Sequence, residues 1–168
     1  MNPGGPFRAG ILTISDRGSR GERTADESGE TALEILEEAG FSVERREVVP
    51  DDPARIREAL IKFADQEGLS LIVTSGGTGL APTDVTPQAT RDVLDYEVPG
   101  MAEAMRAAGL TKTPHAMLSR ALAGVRGSCL VLNLPGSPRA VRESLATVLP
   151  ALEHALNKLC GDPTDCAR

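Results

Sequence analysis

The residues with chemical potential in this sequence stand in short clusters between apolar runs. The clearest is in the stretch LSLIVTSGGTGLAPTDVTPQAT, residues 69–90. There a run of strand formers stops at Gly76-Gly77-Thr78-Gly79, and a lone carboxylate, Asp84, follows. Glycines leave backbone N–H groups bare, which suits a phosphate or another oxyanion. A tight turn is the plainer reading, although a two-residue turn does not need three glycines. The loop is not a Walker A motif, because no Gly-Lys-Ser/Thr follows. The G-x-G-x-x-G dinucleotide spacing is absent as well.

Asp84 reads either as an Asx-turn residue ahead of a helix or as a carboxylate aimed at the glycine loop. Asp51, in VVPDD, either assists Asp52 in starting a helix or acts as a second such acid. Two acids on separate strand-end loops beside a phosphate cradle are a donor set for Mg²⁺ bridging substrate phosphates. Ser15-Asp16 places a hydroxyl and an acid at a strand exit, with a simple turn as the alternative. In LPGSP, residues 134–138, Ser137 reads as an N-cap with Pro138 at N1, and the same geometry offers N–H donors to an anion. Arg17, Arg20, Arg120, Arg126 and Arg139 lie near these loops in sequence, and one or two of them are expected to touch ligand. His115, after Pro114, has no acid–base partner in view and reads as structural.

The elements that position these clusters alternate between strand and helix. AGILTIS (9–15), FSVERREVV, LSLIVTS and SCLVLNL (128–134) read as strands, three of them continuous apolar runs and the second alternating. ESGETALEILEEAG reads as a helix with Leu33, Leu36 and Ala39 on one face, ending at Gly40. DDPARIREALIKFADQEG has Asp52 as N-cap, Pro53 at N1 and Ile56, Leu60 and Phe63 on one face. VTPQATRDVL opens with Thr86 as cap and Pro87 at N1. A helix near 99–108 and a short one near 114–122 follow. The last helix starts at Ser137-Pro138, is interrupted by Pro150 and resumes to about Leu159.

Strand–helix alternation predicts an α/β fold: a mostly parallel central sheet covered on both faces. If the four strands are parallel, SDR (15–17), PDD (50–52), SGGTG (75–79) and LPGSP all fall on one edge. That is the edge where open α/β proteins bind ligands.

Bulk composition bounds the rest. At 168 residues the chain reads as a single domain over 1–168, with about 1–7 a flexible leader and about 161–168 a flexible tail. Aromatics are scarce (no Trp, one Tyr, three Phe), so the core is aliphatic and base-stacking modes of nucleic-acid binding are disfavoured. A net charge of −6 supplies no global field for DNA or anionic lipid. Cys129, Cys160 and Cys166 form no C-x-x-C and stand at no metal-ligand spacing from His115 or His154. They read as reduced thiols of a cytoplasmic protein, with Cys129 in the core. Neither a signal-peptide h-region nor a membrane-length apolar run is present.

Taken together, ILTISDR, VVPDD, SGGTGLAPTDVTPQAT, VPGMAEAMR, HAMLSRALAGVRGSCLVLNLPGSPRAV and LPALEHAL resemble the MogA/MoaB family of molybdopterin adenylyltransferases, a group that includes the G domain of gephyrin. The resemblance runs in order from about residue 8 to 161. It implies a three-layer αβα domain, a homotrimer, and Mg-ATP-dependent adenylylation of molybdopterin with release of pyrophosphate. It also implies hand-over of the product to a molybdate-inserting protein. Carried over by position, the essential acids and metal ligands fall on Asp51 and Asp84. The substrate and nucleotide contacts fall on Ser15, Asp16, Ser75, Gly76, Gly77, Thr78, Gly79, Pro135, Gly136 and Ser137.

Two positions depart from the pattern: Thr83 stands where an arginine often precedes the second acid, and Gly109 where a plant relative has serine. Relatives of the MoaB type that keep the fold without clear adenylylation leave a non-catalytic pterin carrier as an alternative. A nucleotide hydrolase of the competence-damage group is a third reading. Retention of both acids favours the transferase.

Overall fold

The computed structural model describes residues 5–22 and 25–163. The first strand, β1 (Arg8–Ile14), leads through a four-residue helix α1 (Asp16–Ser19) to α2 (Glu27–Glu38). Strand β2 (Ser42–Val49) follows, then α3 (Pro53–Ile61) running into a π turn over Lys62–Gln66, then β3 (Leu71–Ser75). Helix α4 (Thr86–Arg91), the short β4 (Tyr96–Glu97) and α5 (Pro99–Leu110) come next. A 3-10 turn (Pro114–Leu118), β5 (Ala123–Arg126), β6 (Cys129–Leu134) and α6 (Pro138–Leu159) complete the fold.

The six strands lie in the order β2-β1-β3-β6-β5-β4. The first four are parallel, with Ile14 beside Val49, Thr13 beside Ser75 and Ser75 beside Leu134. Their carboxyl ends therefore share one edge, as expected. Every residue of β3 and β6 is buried, which explains why they read as unbroken apolar runs. One face packs on α2, α5 and α6 through Ile11, Val73, Leu132 and Leu145; the other packs on α3 and α4 through Leu12, Ile72 and Val131. The result is a three-layer α/β sandwich. Phe63 fills the second core as its one fully buried aromatic.

Several local expectations are corrected. Among the described residues the sheet has six strands rather than four, because β5 and β4 add antiparallel to β6. The segment near 114–122 forms only a 3-10 turn before it straightens into β5. Helix α6 runs unbroken for 22 residues through Pro150. Pro150 and Ala146, whose carbonyl it deprives of a donor, both face solvent, so water can satisfy the freed group. The buried face of α2 is Ala32, Ile35 and Leu36; Leu33 is half-buried and Ala39 exposed. Thr86 does not cap α4: Val85 is the N-cap, and Thr86 is buried at N1. Asp52 and Ser137 do cap their helices, accepting from Arg55 N at 2.9 Å and Ala140 N at 3.2 Å. The expected leader and tail, with Cys166, fall in large part outside the described residues. Among the described residues no helix is long and apolar enough to cross a membrane.

Candidate active site

The glycine loop leaves β3 through two residues in the left-handed region, Gly76 at φ +104° and Gly77 at φ +64°. A Cβ at Gly76 would stand 2.4 Å from the carbonyl oxygen of Ile14, a backbone atom with little room to move. Glycine is therefore demanded twice, by conformation and by the close approach of β1. Gly76 N–H donates to Leu134 O at 3.2 Å, so that donor is engaged. The N–H groups of Gly77, Thr78 and Gly79 have no acceptor among the described residues, which leaves three bare donors in succession. That is the chemistry of an anion cradle.

Both candidate acids reach this loop. A Cβ built at Gly77 would lie 3.3 Å from Asp51 Oδ1, and one at Gly79 would lie 2.8 Å from Asp84 Oδ2. The two carboxylates thus flank the bare backbone, arriving from the ends of different strands. Asp84 Oδ2 also accepts from Ala81 N at 2.8 Å, a bond that closes the loop before Asp84; the N–H of Thr86 goes to Gly77 O instead, so the Asx turn ahead of α4 does not form. Asp51 and Asp16 exchange bonds: Asp16 N donates to Asp51 Oδ2 at 2.8 Å and Asp51 N to Asp16 Oδ1 at 3.0 Å. Burial pushes the Asp51 carboxyl above the ordinary aspartate range, and the nearby Asp16 and Asp84 carboxylates push the same way, against the pull of the Asp16 N–H.

The hydroxyls named from sequence have local work. Ser15 Oγ accepts from Gly18 N at 3.0 Å and caps α1. Ser75 Oγ donates to Pro135 O at 3.2 Å, tying the third and fourth loops together, and Gly136 packs against the backbone of Gly76. Thr78 is buried beside the loop.

Of the arginines among the described residues, only Arg120 engages the glycine loop. Its N–H donates to Thr78 O at 2.9 Å, its Nε to Gly79 O at 2.7 Å, and its Nη2 to Asp84 O. This planar fork braces the loop from Thr78 to Asp84 through carbonyls. Arg126 lies at the opposite end of the sheet, paired with Asp65, because β5 runs antiparallel. Arg20 pairs with Glu22 and Arg139 with Glu143, both near solvent.

A pocket of about 280 Å³ opens beside Thr78 and Gly79. Met105, Ala116 and Leu118 give it apolar walls, and Arg106, Ser119 and Asn133 give it polar positions. Asn133 is fully buried and donates to Thr74 Oγ1 and Thr90 Oγ1, each at 3.0 Å. An amide inside the apolar run SCLVLNL was a signal that sequence reading passed over. His115, read as structural, is exposed at the rim of this pocket. At Gly109 a Cβ would meet Ala116 Cβ at 2.8 Å, so the close seating of α5 on the 3-10 turn accounts for the glycine there.

Chemically, the arrangement sets bare N–H donors for phosphate beside two carboxylates and an open, largely apolar pocket. Mg²⁺ favours one or two carboxylates, with water and substrate phosphate completing its shell, and Asp51 and Asp84 fit that donor set. Among the described residues no three His, Cys, Asp or Glu side chains gather into a cation cage of their own.

Comparison with known proteins gives the family of the chain. The sequence model of the family described as "Probable molybdopterin binding domain" matches residues 10–154. The chain is 40% identical over 155 residues to the molybdopterin adenylyltransferase of Helicobacter pylori strain J99, covering 91% of this chain and 88% of the relative. The molybdopterin adenylyltransferase of Escherichia coli K12 is 40% identical over 149 residues, covering 86% and 75%. The crystal structure of the molybdopterin biosynthesis enzyme MoaB from Thermus thermophilus superposes with a TM-score of 0.88 at 57% identity, covering 95% of this chain and 99% of that one. By the extent of the family match and the identity to these relatives, the chain belongs to the molybdopterin-binding domain family of molybdenum cofactor biosynthesis.

Proposed function

We propose that this chain is a molybdopterin adenylyltransferase, acting as one domain over 1–168. It transfers the adenylyl group of ATP to the terminal phosphate of molybdopterin and releases pyrophosphate. The observation that carries the reading is the placement of Asp51 and Asp84 on either side of three bare N–H donors. Relatives named for this activity support it.

In this reading the N–H groups of Gly77, Thr78 and Gly79 hold phosphate oxygens, and the pocket beside Gly79 receives the pterin. An oxygen of the molybdopterin phosphate forms a bond to the α-phosphorus of ATP. The bond from that phosphorus to the bridging oxygen breaks, and pyrophosphate leaves with the electron pair. The attacking phosphate is already ionised, so catalysis is chiefly positioning and charge stabilisation rather than proton abstraction. Asp51 and Asp84 would hold Mg²⁺, which supplies neutralisation of charge on the leaving pyrophosphate. Ser15, Asp16, Ser75, Pro135, Gly136 and Ser137 shape the loops around this centre, Asp16 by fixing the Asp51 backbone and Ser75 by joining the glycine loop to Pro135. A homotrimeric, cytoplasmic enzyme that passes its product to a molybdate-inserting protein completes the proposal.

The test is to mix purified protein with freshly released molybdopterin, ATP and Mg²⁺ and to detect adenylylated pterin by mass. Product from the wild type but not from Asp84→Asn supports the reading. Tight pterin binding without product would make the chain a carrier, and pterin-independent loss of ATP would make it a hydrolase.

A further inference from the structure

Thr86 is 0% exposed, and its Oγ1 is the one buried side-chain polar atom without a hydrogen-bond partner among the described residues. Folded chains seldom leave a buried hydroxyl unpaired, so the atom needs a reason. Asp51 has the complementary lack. Its Oδ2 takes the Asp16 N–H, while no donor from another described residue is hydrogen-bonded to Oδ1. Both atoms border the same bare position: a Cβ at Gly77 would lie 2.3 Å from Thr86 Oγ1 and 3.3 Å from Asp51 Oδ1. Any side chain at 77 would fill the gap between a hydroxyl lacking an acceptor and a carboxylate oxygen lacking a donor from another described residue.

We propose that Thr86 is a positioning residue for Asp51. In the working state its hydroxyl donates to Asp51 Oδ1 across the gap at Gly77. The Asp16 N–H then holds one carboxylate oxygen and the Thr86 O–H the other, and each oxygen keeps a lone pair for the cation. Gly77 is glycine partly to keep that line open. The inference rests on Asp51 being a cation ligand, and it adds the group that orients it.

The measurement is Mn²⁺ binding in the presence of ATP, followed by electron paramagnetic resonance, with Tm recorded for each protein. Wild type is expected to bind Mn²⁺ and Asp51→Asn to lose it. Thr86→Val keeps the shape and removes the hydroxyl. It is expected to bind Mn²⁺ about ten- to a hundredfold more weakly, the scale of one hydrogen bond to a charged group, with Tm equal to or above wild type. Thr86→Ser is expected to restore binding to within about threefold, and Thr86→Val is expected to add nothing in the Asp51→Asn background.

Wild-type affinity in Thr86→Val would overturn the inference. So would a fall in Tm that accompanies the weakened binding, since the hydroxyl would then serve the fold. Absence of Asp51-dependent Mn²⁺ binding in wild type itself would remove the cation reading of Asp51 and this inference with it, an outcome told apart because it shows before any change at Thr86.

Discussion

The two ends of the central sheet treat charge in opposite ways. At the amino ends of the parallel strands, side chains are paired: Arg8 with Glu44 at 2.6 Å, Arg45 with Glu67 at 2.8 Å, and Arg126 with Asp65 at 2.6 and 2.9 Å. At the carboxyl ends Asp16, Asp51 and Asp84 meet no basic side chain among the described residues. Their hydrogen-bond donors are backbone N–H groups. Even Arg120, the one arginine among the described residues that reaches this end's glycine loop, turns its donors to carbonyls. Exposed pairs such as those at the amino end add little stability, but they leave the surface electrically quiet. The carboxyl end keeps a local negative field that an incoming cation, with the phosphates it carries, would neutralise.

Charge removal at each end separates these roles most widely. Asp84→Asn or Asp51→Asn is expected to cost about 4 kcal/mol of barrier, or about a thousandfold in turnover, with folding retained. Asp65→Asn at the other end should leave turnover within about twofold, because it touches an exposed pair only. Product formation by mass, beside thermal melts, checks both. Because burial and like charge already oppose ionisation of Asp51, its charge is destabilising at neutral pH, and Asp51→Asn should not lower Tm.

Glycine replacement sharpens the contrast next. Gly76→Ala must force a Cβ against the Ile14 carbonyl oxygen and is expected to cost roughly 3 kcal/mol or more. Gly127→Ala, in the β5–β6 turn, meets nothing within 4 Å and should cost only about 1 kcal/mol for its φ of +56°. Urea titrations would rank them, and equal losses would refute the close-packing account.

The arginines give a smaller difference. Arg120→Met should raise the substrate KM about tenfold and speed amide exchange over residues 78–84, at a stability cost of about 1–2 kcal/mol. Arg126→Met, which loses an exposed pair and one bond to Val93 O, should cost about 1 kcal/mol and leave KM unchanged.

The slightest effect belongs to Cys129 beneath the paired end. Burial pushes its thiol up to about 12 from an ordinary 9.0. The folded form therefore holds its proton where the unfolded chain loses it, and this contribution to stability is complete below about pH 9 and declines as pH rises through that value toward 12. Native protein at pH 8 should leave Cys129 unlabelled by a disulfide reagent, and rapid labelling would contradict its burial.

The convergence of the four loops was legible because glycine, proline and aspartate cluster where the apolar runs stop, and parallel strands bring all such stops to one edge. Asp51 and Asp84 were legible as types, acids beside bare backbone, but each kept a capping alternative until their distances to Gly77 and Gly79 were known. The Arg120 brace was not legible. It depends on a residue 41 positions from Gly79 turning toward carbonyls, and carbonyls carry no sequence signal. Strands β4 and β5 escaped notice because two residues, and four with Gly124 among them, show no usable period. Gly124 is tolerated there since a Cβ would strike Leu94 and the Tyr96 carbonyl. Pro150 misled because the rule against helix-interior proline weakens on a solvent face.

The exchange of bonds between Asp16 and Asp51 also has a hereditary side. Each residue's main chain supplies a donor to the other's side chain, so a new side chain at one position leaves the other carboxylate its bond but removes the acid which that bond helps to place. A descendant that lost Asp51 would have little use for an acid at 16, and selection would stop guarding it. The two positions, 35 residues apart, should therefore persist or decay as one inherited character, a correlated trace by which active and lapsed members of the lineage can be sorted.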